Sequence, residues 1–173
     1  MRSVTGSEGA TPAYKFLAPG AIGPFTGFPW SPGNWVEAAG QLELCGNGIH
    51  ACRAEQLPTW IDEELWAVEL GDEVVDAGSV LVARSARLTA RVEAWNRGCG
   101  LEFARACAER AQEYGGMYAE DAVLFADSAE SAKDVAVVSY VAARAAEDAN
   151  AGGFAEERRR QAAWLRGRLG LEP

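Results

Sequence analysis

The chain has 173 residues, 49% of them hydrophobic and 24% charged, with a formal net charge of −9. That size suits one domain or two small lobes sharing a core, and no stretch approaches the roughly 20 apolar residues of a membrane helix. The acidic excess is spread, with 12 acids against 7 bases in residues 1–97 and 13 against 9 in residues 98–173, which argues against a nucleic-acid partner.

Residues 1–12 contain Ser, Thr and Gly but no apolar leader, and read as a flexible N-terminal tail. Ala13-Tyr14-Lys15-Phe16-Leu17 is a first strand, closed by Pro19-Gly20. Gly20 to Trp35 is rich in Gly and Pro. Pro24, Pro29 and Pro32 forbid a helix there. Phe25, Phe28, Trp30 and Trp35 should anchor this loop over a core or a pocket. Gly48 to Cys52 is a second short strand, and Ala54 to Ile61 a helical turn limited by Pro58. Residues 65–70 and 73–76 flank Gly71-Asp72, which predicts a hairpin with a type II′ turn. From Ala86 to Ala94 small or apolar residues alternate with Arg87, Thr89, Arg91 and Glu93, the mark of a strand with one wet face. Asn96 to Gly100 interrupts the pattern.

Past Gly100 the period becomes helical. One helix stops at Gly115-Gly116, and a second runs from Met117 to about Ala129. Ser131 with Asp134 predicts an N-terminal capping pair for a third, which ends near Asn150. A fourth carries Phe154, Ala162, Leu165 and Leu169. Its basic run, Arg158 to Arg160 with Arg166 and Arg168, follows Glu156 and Glu157 and reads as a charged face with pairs such as Glu156–Arg160. The fold class is therefore α+β: a mostly antiparallel sheet in a lobe over residues 13–97, then an Ala-rich helical lobe over 98–173. No dinucleotide fingerprint, P-loop or nucleophile elbow is present, so no cofactor is indicated.

The densest chemistry is Cys45-Gly46-Asn47-Gly48-Ile49-His50-Ala51-Cys52, which holds the single histidine. On a strand, His50 and Cys52 share a face. His50 could then activate the Cys52 thiol or act as an acid, a base or a ligand contact. The alternative is a satisfied histidine beside an inert buried cysteine. Tyr14, Lys15, Trp30, Arg53 and Glu69 would complete a pocket wall, with Arg53 suited to an anion or to pairing Glu69. Asp62 to Glu64 read as turn caps or wet surface. Cys45, His50 and Cys52, with Cys99 or Cys107, could form a Cys3His zinc set, although the spacing is not that of a zinc knuckle.

The Tyr14-Lys15-Phe16 strand, the aromatic-Pro loop, Gly48-Ile49-His50-Ala51-Cys52 and the strand Leu65-Trp66-Ala67-Val68-Glu69-Leu70 together resemble a family of uncharacterised bacterial and phage proteins with a Gly-x-His-Ala-Cys motif. The segment 157–165 is similar to the last helix of actinobacterial members and to Ala-rich immunity-like proteins. Fourteen of the 16 basic residues are Arg, a bias of high-GC bacterial coding. The resemblance covers most of the chain and implies no established activity. A looser likeness, of fold alone, is to ADP-ribosyltransferase-like proteins, with Lys15, His50 and Glu69 or Glu73 at comparable places. The His or Arg and the Tyr or Ser that mark their NAD sites are absent here.

These readings lead to three expectations. The first is an enzyme or binder of a small molecule, with its pocket at the Gly48–Cys52 strand. The second is a protein-interaction module of regulatory or immunity-like type. The third is a structural zinc domain. Four cysteines without a leader place the protein in the reducing cytoplasm.

Overall fold

The computed structural model describes residues 12–44, 46–150 and 152–171. Apart from Pro12, the expected tail lies outside those residues, as does Cys45. Seven strands precede four helices: β1 (Ala13–Leu17), β2 (Val36–Glu37), β3 (Ile49–Ala51), β4 (Glu64–Leu70), β5 (Val74–Asp76), β6 (Leu81–Ala83), β7 (Ser85–Arg91), α1 (Arg97–Tyr114), α2 (Met117–Ser128), α3 (Ala132–Asp148) and α4 (Gly153–Leu169). The α+β class read from the changing hydrophobic period holds.

All strand pairings are antiparallel, in sheets of order β1-β4-β7-β2 and β3-β6-β5. The hairpin expected at Gly71-Asp72 is not there. β4 pairs with β7 and β5 with β6, so residues 64–76 and 81–91 form one long ribbon whose turn is Ala77–Val80. Gly78 takes φ +82° in that turn, and its N–H donates to the Asp76 carboxylate. Gly71 instead marks the corner where the ribbon bends from one sheet into the other. A Cβ there would sit 2.1 Å from Ser85 Oγ, so a larger residue would force the Ser85 hydroxyl to move. Opposite the corner Arg84 bonds Glu73 through side chain and backbone and reaches the Ala38 carbonyl.

The ring of strands closes where β3 runs onto β1. Tyr14 and Cys52 exchange both backbone hydrogen bonds, each 2.8 Å long. Inside this ring lie Ala13, Leu17, Trp30, Ile49, Ala51, Val68, Leu81, Ala86 and Leu88. The other face of β1, carrying Tyr14 and Phe16, joins a second core with Leu65, Trp95 and the helices. Alanine dominates the helical contribution to that core, so backbones pack closely with little side-chain bulk between them.

α1 starts earlier than its apolar period suggests, because Asn96 caps it by accepting from the Cys99 N–H. The Ser131–Asp134 capping box opens α3 as expected. Of Asp62–Glu64, read as turn caps or wet surface, the capping half holds and the wet half does not, Asp62 and Glu64 being buried. The Glu63 carboxylate accepts from the Ala132 N–H at the start of α3, and the Asp62 carbonyl accepts from the Trp95 indole. No helix among the described residues is long and apolar enough to cross a membrane.

Candidate functional site

Lys15 lies on β1 between Ala13 and Leu17, so the pleat directs its side chain to the interior of the strand ring. Its ammonium donates to the His50 carbonyl at 2.5 Å and lies 5.6 Å from the centre of the Trp30 ring. No carboxylate forms an ion pair with it among the described residues. A lysine in such surroundings ordinarily has an acid beside it. Burial lowers the Lys15 pKa to about 8, and the nearby Cys52 opposes that only in part. The shift leaves this amine more often uncharged near neutral pH than an ordinary lysine, though still mostly protonated.

Trp30 is held over Lys15 from a distance. Glu64, buried at the start of β4, accepts from the Gly20 and Ala21 N–H groups at 3.0 and 3.1 Å and from the Trp66 indole at 3.1 Å. Burial alone would raise the Glu64 pKa; these three donors and Arg91 hold it below its ordinary value. The turn so fixed, with Ala21 at φ +58°, returns through Ala18–Ile22 and Ile22–Pro29 bridges, and the Trp30 N–H donates to the Ala21 carbonyl. Of the four aromatics expected to anchor this loop, only Trp30 is buried. Phe25 stands 88% exposed at the tip of the Gly23–Gly27 turn, and Phe28 and Trp35 are also exposed. Trp35 lies over Arg87, outside the ring.

His50 is half-buried on β3, facing away from Ile49 and Ala51. Its pKa is lowered by burial first and then by the charge of Lys15, against a hydrogen bond with the Gly48 backbone that raises it. Gly48 precedes the strand at φ +136°, and a Cβ there would sit 2.4 Å from Val82 Cγ1, so this glycine is what lets β3 lie against β6.

The other residues named from the sequence scatter around this centre. Cys52 points into the helical core, and burial pushes its thiol up to about 12, which leaves almost no thiolate at neutral pH. Tyr14 faces that same core, on the opposite side of β1 from Lys15, because neighbouring strand residues alternate. Arg53 pairs with Asp76 at 2.9 Å, and Glu69 pairs with Arg87 directly across β4 and β7. Cys99 and Cys107 are free buried thiols on α1. No group of three His, Cys, Asp or Glu gathers as metal ligands among the described residues.

Pattern reading missed a second buried charge. Glu157 on α4 is fully buried, with Arg110 donating to both its oxygens, Tyr114 donating at 2.8 Å and Gln161 at 3.1 Å. Arg158 extends the network to Ser139, Gln161 and the Pro58 carbonyl, and so ties α4 to the turn that follows Cys52. The available signal was spacing: Glu157, Gln161 and Leu165 recur at four-residue intervals on one stripe.

Two cavities lie elsewhere. One, of about 20 Å³, sits between Glu63, Trp95 and the starts of α1 and α3 and has room for a single water. The other is a shallow hollow at the α1–α2 turn around Gly115, Ala119 and Val123. No family model, curated protein or solved structure matches this chain.

Proposed function

We propose that the strand ring is a small-molecule-binding domain, with the Lys15 amine as its principal polar contact and the His50 backbone carbonyl beside it. One observation carries this reading: an amine is turned into an apolar ring where, among the described residues, no acid pairs with it and a backbone carbonyl holds it under an indole. Such an amine is under-satisfied, since an ammonium has three donors and His50 takes one. A ligand oxygen could accept from Lys15 while its apolar part lies against Trp30. Binding sites commonly combine apolar walls with a few placed polar groups in this way. Arg53, Glu69 and Tyr14 are engaged elsewhere, so the polar wall foreseen from sequence contracts to Lys15 and the His50 backbone.

The test is ligand-observed NMR with a panel of small carboxylic acids and ketones on wild type and Lys15→Met. Binding to the wild type, weakened at least tenfold in Lys15→Met, is the expected result. Equal binding to both proteins, or none to the wild type, defeats the reading.

A second reading, a protein-interaction module, is favoured by Leu124, Val137 and Tyr140, large apolar residues that α2 and α3 leave about half exposed or more. If a partner covers them, a stoichiometric complex from the native host should be lost in Leu124→Ser/Tyr140→Ser. A complex that survives the double substitution would count against it.

A further inference from the structure

Resting on the binding reading above, we propose that the ligand class is carbonyl compounds, small aldehydes or ketones, and that the Lys15 amine forms an imine with them. The geometry suits an addition rather than a salt link. An ion-paired lysine is locked as ammonium and has no lone pair, whereas Lys15 has no paired acid among the described residues and keeps a hydrogen bond to a neutral acceptor, the His50 carbonyl. That bond fixes the position of the nitrogen. The Trp30 ring on one side and the apolar ring interior on the other limit water, which would hydrolyse the product. The lowered basicity that burial gives Lys15 supports the same reading, since desolvation is a common way to activate a lysine nucleophile.

The step balances without a redox partner. The nitrogen lone pair of the neutral amine attacks the carbonyl carbon, the C–N bond forms and the oxygen takes a proton. Loss of that oxygen as water, with departure of the remaining nitrogen proton, leaves a C=N bond and releases one water in total. Solvent water carries the protons between nitrogen and oxygen, since the His50 imidazole faces away from the ring interior and it is the His50 backbone carbonyl that contacts the amine.

The sequence supplies its own control. Lys15 and Lys133 are the only lysines in the chain, and Lys133 is exposed on α3. The full-length protein is incubated at pH 8 with glyoxylate, pyruvate, butyraldehyde or benzaldehyde in the presence of cyanoborohydride, and adducts are located by peptide mapping. At least one of these should label Lys15 with tenfold or greater occupancy over Lys133. The preference should vanish in guanidinium chloride. Lys15→Arg, checked for an unchanged fold by circular dichroism, should lose the adduct. Equal labelling of the two lysines, or labelling confined to Lys133 and the N-terminal amine, overturns the proposal. Compounds that bind in the NMR screen yet leave Lys15 unlabelled refute the carbonyl class alone; neither binding nor labelling refutes both readings.

Discussion

The two halves of the molecule each draw a charged side chain inward, Glu157 fully and Lys15 in part, and they treat it in opposite ways. In the helical half Glu157 has no exposed surface, and Arg110, Tyr114 and Gln161 satisfy its carboxylate. In the strand ring Lys15 has one backbone carbonyl and an aromatic face. Every oxygen of the first group is spoken for, so it has nothing left to offer a ligand and serves to hold α1, α3 and α4 together. The second group makes one hydrogen bond among the described residues and has a depressed basicity. The contrast teaches that burial alone does not mark a functional charge; incomplete satisfaction does.

The largest expected effect breaks the helical side of that contrast. Glu157→Gln removes the charge opposite Arg110 and should cost about 3–5 kcal/mol in urea unfolding, the usual penalty for stranding one member of a buried pair. Arg110→Met/Glu157→Leu should recover much of that loss, because the stranded charge goes too. If Glu157→Gln proves as stable as wild type, the network is not a structural tie.

Lys15 should behave in the reverse sense. Its folded-state pKa lies below its unfolded one, so between pH 8 and 10.5 the unfolded chain holds the extra proton and stability rises with pH. The rise is up to about 3 kcal/mol in principle, and partial solvent access makes the realised gain smaller. Lys15→Met should flatten that rise and be no less stable than wild type at pH 7. A strongly destabilised Lys15→Met would make Lys15 a structural residue like Glu157.

The smallest effect concerns rates. In Cys45→Ser, the thiols of Cys52, Cys99 and Cys107, each raised by burial, should react with Ellman's reagent far more slowly in the native state than when unfolded. A fast native phase assigned to Cys52 would restore it as a candidate nucleophile beside His50.

What could be read from the sequence was the part encoded locally. The first strand, the change of period past Gly100, the glycine stops and the Ser131–Asp134 cap all lie within a few residues of their cause. Gly71-Asp72 misled because a bent ribbon and a hairpin demand the same flexible residues. Only the pairing of β4 with β1 and β7 distinguishes them, and that pairing is non-local. At the site, Lys15 and Trp30 were legible as residue types. Their meeting was not, because the acceptor for Lys15 is the backbone of His50, and every residue has a carbonyl. Tyr14 was misjoined to Lys15 by adjacency, which on a strand separates two side chains rather than uniting them.

The junction of Tyr14 and Cys52 also bears on how this protein behaves in a crowded solution. By joining β3 to β1 it removes two strand edges that would otherwise stand open. Among the described residues the edges left are β2 and β5, of two and three residues, carrying Glu37 and Asp76. Short, acidic borders make poor templates for strand addition by another molecule. Closing the ring thus both sets the apolar surroundings of Lys15 and guards an Ala-rich, strand-containing chain against sheet-to-sheet aggregation.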